Sequence, residues 1–354
     1  MRKSALVLAM AMLSLCAASA RSKQQVIRAG TLIDGTGAAP RQRVSIIIDG
    51  ERIVAVQPRS VTPMDAEVID LADSTVMPGF IDAHVHIAAK LPSSSNAIED
   101  WLTHSDIDRA FDGAKFAAAM LQQGFTAARD GGGGADTVGL RNAITDGKVR
   151  GPRLRVSLEA LGPTAGHGDA RYGMDPQLSH PGWDNSTVDS ADQARARVRE
   201  HKRRGADLIK IMPSGGIASS GDDPRQKLMT DDEIAAVITT AHSLGMKVAA
   251  HAYPPSAIDA AVRAGVDSIE HGSFATSVSF ALMKAVFGRR PLIRLVKNPP
   301  ATPRSARALI RVIASTRLRL VSSVSRPCRY WGWLGPRETV SGRLAPWKRQ
   351  TGVP

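Results

Sequence analysis

After Met77-Pro78-Gly79 the chain settles into a repeat that few folds can accommodate: a short apolar run, a helical stretch, then another apolar run. FIDAHVHI opens the series. Residues 106–123 carry Phe111, Ala118 and Leu121 at helical spacing and lead into GFTAARDGG. LRVSLEALGP follows, and after a polar loop the helix-like residues 191–204 deliver ADLIKIMPSGG. Residues 231–244 form the next amphipathic helix, with Thr230 as N-cap and Gly245 at its end, before MKVAAHAY. A short helix over residues 256–264, stopped by Gly265, precedes VDSIEHGS.

Strands alternating with helices predict a parallel sheet with helical crossovers. Ligand-type residues mark the ends of several runs, which is where barrel enzymes place their sites. That favours a (β/α)8 barrel over an open doubly wound sheet, and no GxGxxG fingerprint follows any strand. Residues 25–76 read differently. VIRAGTLID, RVSIIIDGERIVAVQ and AEVIDL are short and β-like, with Asp49-Gly50 as a hairpin signal. They predict a small antiparallel β domain, the β-sandwich portion over residues 21–76, with the barrel over 77–286. Hydrophobic content of 43% suffices for a sizeable core, although aromatics at 4% leave aliphatic side chains to fill it.

His84 and His86 are two apart on the first strand, so both side chains face the same way. Two imidazoles so placed can reach one cation at ~2.0–2.1 Å, the distance typical of zinc. His251 and His271 close two later runs at matching depth and support each other as candidate ligands. Glu270 precedes His271, and strand alternation turns it the other way, which excludes it as a ligand. Lys210 lies within LIKIM, where an unpaired ammonium is costly to bury. A snorkelling or ion-paired lysine is one reading; an amine converted into an anion shared by two cations is the other.

The segments PGFIDAHVHI, GFTAARDGGG, GPTAGHGD, DLIKIMPSGGIASSGDDP, VAAHAY and VDSIEHGSF, in this order over residues 25–287, resemble the amidohydrolase superfamily. Within it the chain is similar to the exported imidazolonepropionase-like and Xaa-Pro-dipeptidase-like hydrolases. The resemblance implies a (β/α)8 barrel beside a small β-sandwich, and two divalent metal ions, usually zinc. His84 and His86 would bind the more buried metal and His251 and His271 the more exposed one. Lys210, carboxylated by CO2, would bridge them. A metal-bridging hydroxide would attack the amide carbonyl carbon of a small substrate such as a dipeptide or cyclic amide, whose C–N bond then breaks. His167 matches the family's substrate-side histidine and Tyr253 could contact substrate, with ordinary loop or packing roles equally open for both. Arg129 and Asp130 resemble the second-strand pair that supports the mouth. Zinc, cobalt and manganese share these ligands, and a homo-oligomer is left open.

The two ends of the sequence stand apart. Arg2 and Lys3, an apolar run over residues 5–16 and Ala18-Ser19-Ala20 predict a signal peptide over residues 1–20, hence a periplasmic or secreted protein. That run is shorter than the ~20 residues of a membrane span. With Cys16 removed, Cys328 would be the one remaining cysteine and no internal disulfide could form. Residues 287–354 hold 13 Arg and 2 Lys against the single acid Glu338, a charge of +14 that leaves −1 for the rest of a chain whose net charge is +13. Such a tail could bind nucleic acid non-specifically. Its abrupt onset and its Arg, Pro and Trp content favour an out-of-frame extension. The resemblance also calls for an aspartate at the end of an eighth strand, and residues 287–354 contain none. The expected barrel is therefore incomplete, with strands one to six present, no final strands returning to the sandwich, and impaired or absent catalysis. A metal- or ligand-binding remnant without turnover is the alternative.

Overall fold

The structure is a computed structural model that describes residues 24–59, 63, 65–90, 102–169, 171–175, 177–178, 182–217, 221–287 and 310–313. The signal-peptide segment and nearly all of the basic tail lie outside the described residues. Those described fall within one compact unit spanning Met1–Arg319.

The N-terminal part is a five-stranded sheet built from β1 (Gln25–Leu32), β2 (Arg41–Asp49), β3 (Arg52–Pro58), β4 (Glu67–Pro78) and β11 (Ile310–Ile313), in the order β11-β4-β1-β2-β3. Asp49 pairs with Arg52, so Gly50 and Glu51 make the two-residue turn, with Gly50 at φ 59°. The antiparallel expectation holds for β1, β2 and β3 but not for β4, which lies parallel to β1 from Gln25↔Glu67 to Leu32↔Val76. The β2–β3 hairpin acts as the crossover: it occupies one edge of β1 and leaves the other edge to β4.

A register break in β1 between Ala29 and Thr31 puts Gly30 against β4. A β-carbon there would lie 2.1 Å from the Ala72 carbonyl oxygen, so only glycine fits. Ile27, Ala29, Leu32, Val44, Ile46 and Val76 form the core of this sheet. The expectation that no strand returns from beyond residue 286 is corrected. Ile310–Ile313 pairs antiparallel with β4 from Ile310↔Pro78 to Ile313↔Thr75. A run rich in β-branched residues finds an edge of β4 that β1 leaves open.

The second part begins at Gly79 with β5 (Phe80–Val85) and continues as strand–helix units. Its strands are β6 (Phe125–Asp130), β7 (Arg153–Val156), β8 (Leu208–Ile211), β9 (Lys247–Ala252) and β10 (Ser268–His271). Its helices are α1 (Asp106–Gln122), α2 (Ala135–Thr145), α3 (Ala191–Arg203), α4 (Asp231–Ser243), α5 (Pro255–Ala264) and α6 (Ser277–Phe287). Local chemistry sets their ends. Ser105 and Asp108 form a capping box on α1, Thr230 and Glu233 form one on α4, and Gly265 closes α5 in a left-handed conformation at φ 91°.

The six strands pair in parallel as β5-β6-β7 and β8-β9-β10. Leu161 joins the two sets: its N–H donates to the Lys210 carbonyl (2.9 Å) and its carbonyl accepts from Met212 (2.8 Å). Helices cover the outer face around a core that includes Ile209, Ile211, Ile234, Ile238, Val248, Ile258 and Val262. Among the described residues β5 pairs only with β6, and β10 only with β9. No described helix is long and apolar enough to cross a membrane.

Gly30→Ala is expected to destabilise the protein by about 1–3 kcal/mol through overpacking against a backbone that cannot retreat. Urea unfolding of the two proteins checks it, and an unchanged midpoint would contradict the β1–β4 contact.

Candidate metal centre

Each side chain singled out from the sequence stands at the C-terminal end of a strand or on a loop that follows one. His84 is on β5 and His86 is one residue past it; their ring centroids are 5.5 Å apart. Lys210 is on β8, His251 on β9 and His271 ends β10. His271 lies 5.0 Å from His84 and 4.7 Å from His251 between ring centroids, so the first strand and the fifth and sixth converge on one space. His167, on the loop after β7, stacks on His251 at 4.4 Å and 27°. Tyr253 stacks on His271 at 5.1 Å and 5°. The sequence-derived set is thus brought together in full.

Hydrogen bonds orient the imidazoles. His86 Nδ1 donates to the Gly132 carbonyl (3.0 Å) and His84 Nδ1 to Glu270 Oε2 (2.8 Å), which leaves both Nε2 lone pairs free. His251 is engaged from its other nitrogen, with Nε2 against the Gly215 carbonyl at 3.0 Å. Gly132 makes room for His86, whereas a side chain at Gly131 would only touch its neighbours. A β-carbon on Gly131 would sit 3.4 Å from Lys210 Nζ and 3.6 Å from His84 Nε2, and one on Gly132 would sit 3.0 Å from the His86 ring. Gly216 does the same for His167, whose ring would lie 2.2 Å from a β-carbon there.

Burial shapes the charge states. Lys210 is 1% exposed, and desolvation draws its amine down to about 8, while Glu270 and Asp130 pull the other way. Desolvation also lowers His251 to about 3 and His271 to about 4, and holds His86 and His167 below the usual imidazole value. All four are neutral at pH 7, the form that ligates a metal. Asp130 is fully buried, and burial raises it to about 7 even though it accepts from Ile87 N (2.7 Å) and Gly132 N (3.1 Å). It ties the loop after β6 to the chain just past β5.

Two residues do more than their sequence positions suggest. Alternation along β10 predicts that Glu270 turns away from His271 and from the centre. Instead it reaches His84, and Arg129 donates to its other oxygen at 2.6 Å. The reason is a break in the strand: His271 and Gly272 both have left-handed backbones, at φ 67° and 62°. Alternation therefore ends at Glu270, and both neighbours face the centre. The glycine after His271 is the signal that could have shown this. Burial works against the charge on Glu270, but His84, Ser268 and Arg129 outweigh it and hold the carboxyl down at about 2.

The donor types suit a divalent metal. Two imidazoles present free Nε2 atoms, His167 Nδ1 is buried with no hydrogen-bond partner, and an amine is buried beside them. Their number falls short. Among the described residues no group of three or more His, Cys, Asp or Glu side chains is set to hold a metal ion by itself. Lys210 would join them as an oxygen donor only when carboxylated. Phe274, which packs against Tyr253, lines an open pocket of about 490 Å3 together with Arg225, Pro254, Pro255 and Ser256.

Over 289 residues the chain is 32% identical to ochratoxinase from Aspergillus niger, an alignment covering 76% of this chain and 58% of that protein. Its structure is similar to that of a Xaa-Pro dipeptidase with bound methionine in the active site, with TM-score 0.70 and 32% identity over 74% of this chain and 65% of that one. Imidazolonepropionase from Salinispora tropica is 23% identical over 272 residues, 68% of this chain and 61% of that protein. The chain spans less than two thirds of the length of each of these relatives. Residues 75–284, which include every strand from β5 to β10, match the amidohydrolase family, and the chain belongs to it.

Proposed function

We propose that this chain carries the site of a metal-dependent hydrolase acting on the C–N bond of a small substrate such as a dipeptide or cyclic amide. The convergence of His84, His86, Lys210, His251 and His271 at the ends of four parallel strands carries this reading. The Xaa-Pro dipeptidase among its structural relatives supports the substrate class. Divalent metals, zinc first among them, would supply a nucleophile from water at neutral pH and polarise the amide carbonyl.

The chain's own residues would do the rest. His84 and His86 would hold one metal, His251 and His271 the other, and the Lys210 carbamate would be shared. Converting a buried ammonium into an anion removes the conflict between its charge and its surroundings. His167, with its unpartnered Nδ1, would hydrogen-bond the amide oxygen as charge develops on it. Tyr253 would flank the substrate at the cavity.

Residues 287–354 supply no aspartate. Lacking that acid–base group, the chain is expected to turn over ~10²–10⁴-fold more slowly than a complete site. The same observation favours a second reading, a binding remnant that takes up metal without turnover. The basic, apolar and small-residue order of the first twenty residues supports export of either form.

Zinc-reloaded protein assayed on Xaa-Pro dipeptides, N-acyl amino acids and cyclic amides separates the readings. Hydrolysis that requires zinc and vanishes in His86→Ala supports the enzyme. Zinc uptake with no turnover across the panel supports the remnant, and no zinc uptake refutes both. If the chain is active, His167→Ala should lower kcat by ~10²–10³-fold with the fold intact, measured by steady-state kinetics and circular dichroism.

Lys210→Met should stabilise the metal-free, CO2-depleted protein at pH 7 by up to roughly 3 kcal/mol, the cost implied by an amine lowered from 10.5 to about 8. Between those values the folded wild type binds fewer protons than its unfolded chain, so its stability rises with pH there. The advantage of the variant should therefore shrink from pH 8 to pH 10, as read by denaturant titration at each pH.

A further inference from the structure

Glu270 and Arg129 have no task as metal ligands, yet they are among the most fully engaged side chains near the centre. Arg129 donates through Nε to the Ala83 carbonyl (2.6 Å), through one terminal nitrogen to Ser268 Oγ (2.8 Å) and through the other to Glu270 Oε1 (2.6 Å). Ser268 Oγ donates to the same Glu270 oxygen at 2.7 Å, and His84 Nδ1 takes the other at 2.8 Å. The network spans β5, β6 and β10, and Glu270 within it is 7% exposed.

Its location on β5 matters. The β5–β6 ladder pairs Asp82 with Ala128 and Val85 with Asp130, and its register breaks in between. Ala83 and His84 sit in that break, so ladder pairing does not fix the backbone that carries His84. Arg129 takes up the Ala83 carbonyl and Glu270 takes up the imidazole. An ionised carboxylate only accepts hydrogen bonds, so its contact with Nδ1 selects the tautomer that leaves Nε2 unprotonated.

We propose that Glu270 is a positioning residue for His84, holding its Nε2 toward the metal site while Arg129 anchors the carboxylate. This rests on the metal reading above. The contribution is to ligand orientation, and it passes through one imidazole alone.

Zinc affinity measured by chelator competition on wild type, Glu270→Ala, His84→Ala and the double variant tests this. Glu270→Ala is expected to weaken zinc binding ~10–100-fold. In the His84→Ala background the same change should have almost no further effect, because the group it acts through is gone. Equal losses in both backgrounds would mean general structural support and overturn the proposal, as would undiminished affinity in Glu270→Ala. Wild type that takes up no zinc would overturn the metal reading and this role with it. Nitrogen-15 NMR of labelled histidines in the wild type, with His84 assigned by its loss in His84→Ala, needs no Glu270 variant to fold. A His84 signal of the Nδ1–H tautomer is expected, and an Nε2–H signal would overturn the assignment.

Discussion

The buried amine of Lys210 is the constraint to which the rest of the centre responds. The amine of a lysine 1% exposed on β8 has imidazoles kept neutral around it. Four neutral donors and a lysine drawn down to about 8 make a poor resting arrangement for a stable core. They would suit cations better, because neutral imidazoles offer their lone pairs to a metal. Stability and function pull against each other at this position, as they commonly do at binding sites.

Around that centre the chain secures its geometry in two ways. Between β6 and β10 the usual means operate: backbone ladders, the Leu161 bridge, and helices packed on the outer face. Near β5 the ladder slips, and side chains take over. Asp130 caps the backbone at Ile87 and Gly132, while Arg129 crosses to β10. Charged groups do there, at 2.6–3.1 Å, what strand pairing does elsewhere, and charge-assisted bonds are the stronger kind.

Much of this was legible in the residues. The alternation of runs located the strands and helices, because apolar spacing and caps such as Thr230 and Gly265 act locally. The spacing of His84 and His86 placed them on one face for the same reason. What escaped depended on breaks in regularity. Strand alternation put Glu270 outside the centre because it takes no account of the left-handed backbone at His271 and Gly272, for which Gly272 is the one local sign. The parallel placement of β4 beside β1 depends on which edge the β2–β3 hairpin leaves free, a choice made between elements. The partners of His86 and His251 are backbone carbonyls, which the identity of Gly132 or Gly215 does not announce.

The left-handed backbone at His271 has a consequence for how such a site can drift. Few residues other than glycine tolerate that conformation; asparagine, aspartate and histidine do so most readily. Glutamate, glutamine or a β-branched residue would strain the chain whatever its merit as a donor. Were selection for metal binding to relax, the shape of the main chain would still filter what replaces this histidine. Substitutions would fall on asparagine, aspartate or glycine, and the position would keep a record of the site after its chemistry had gone.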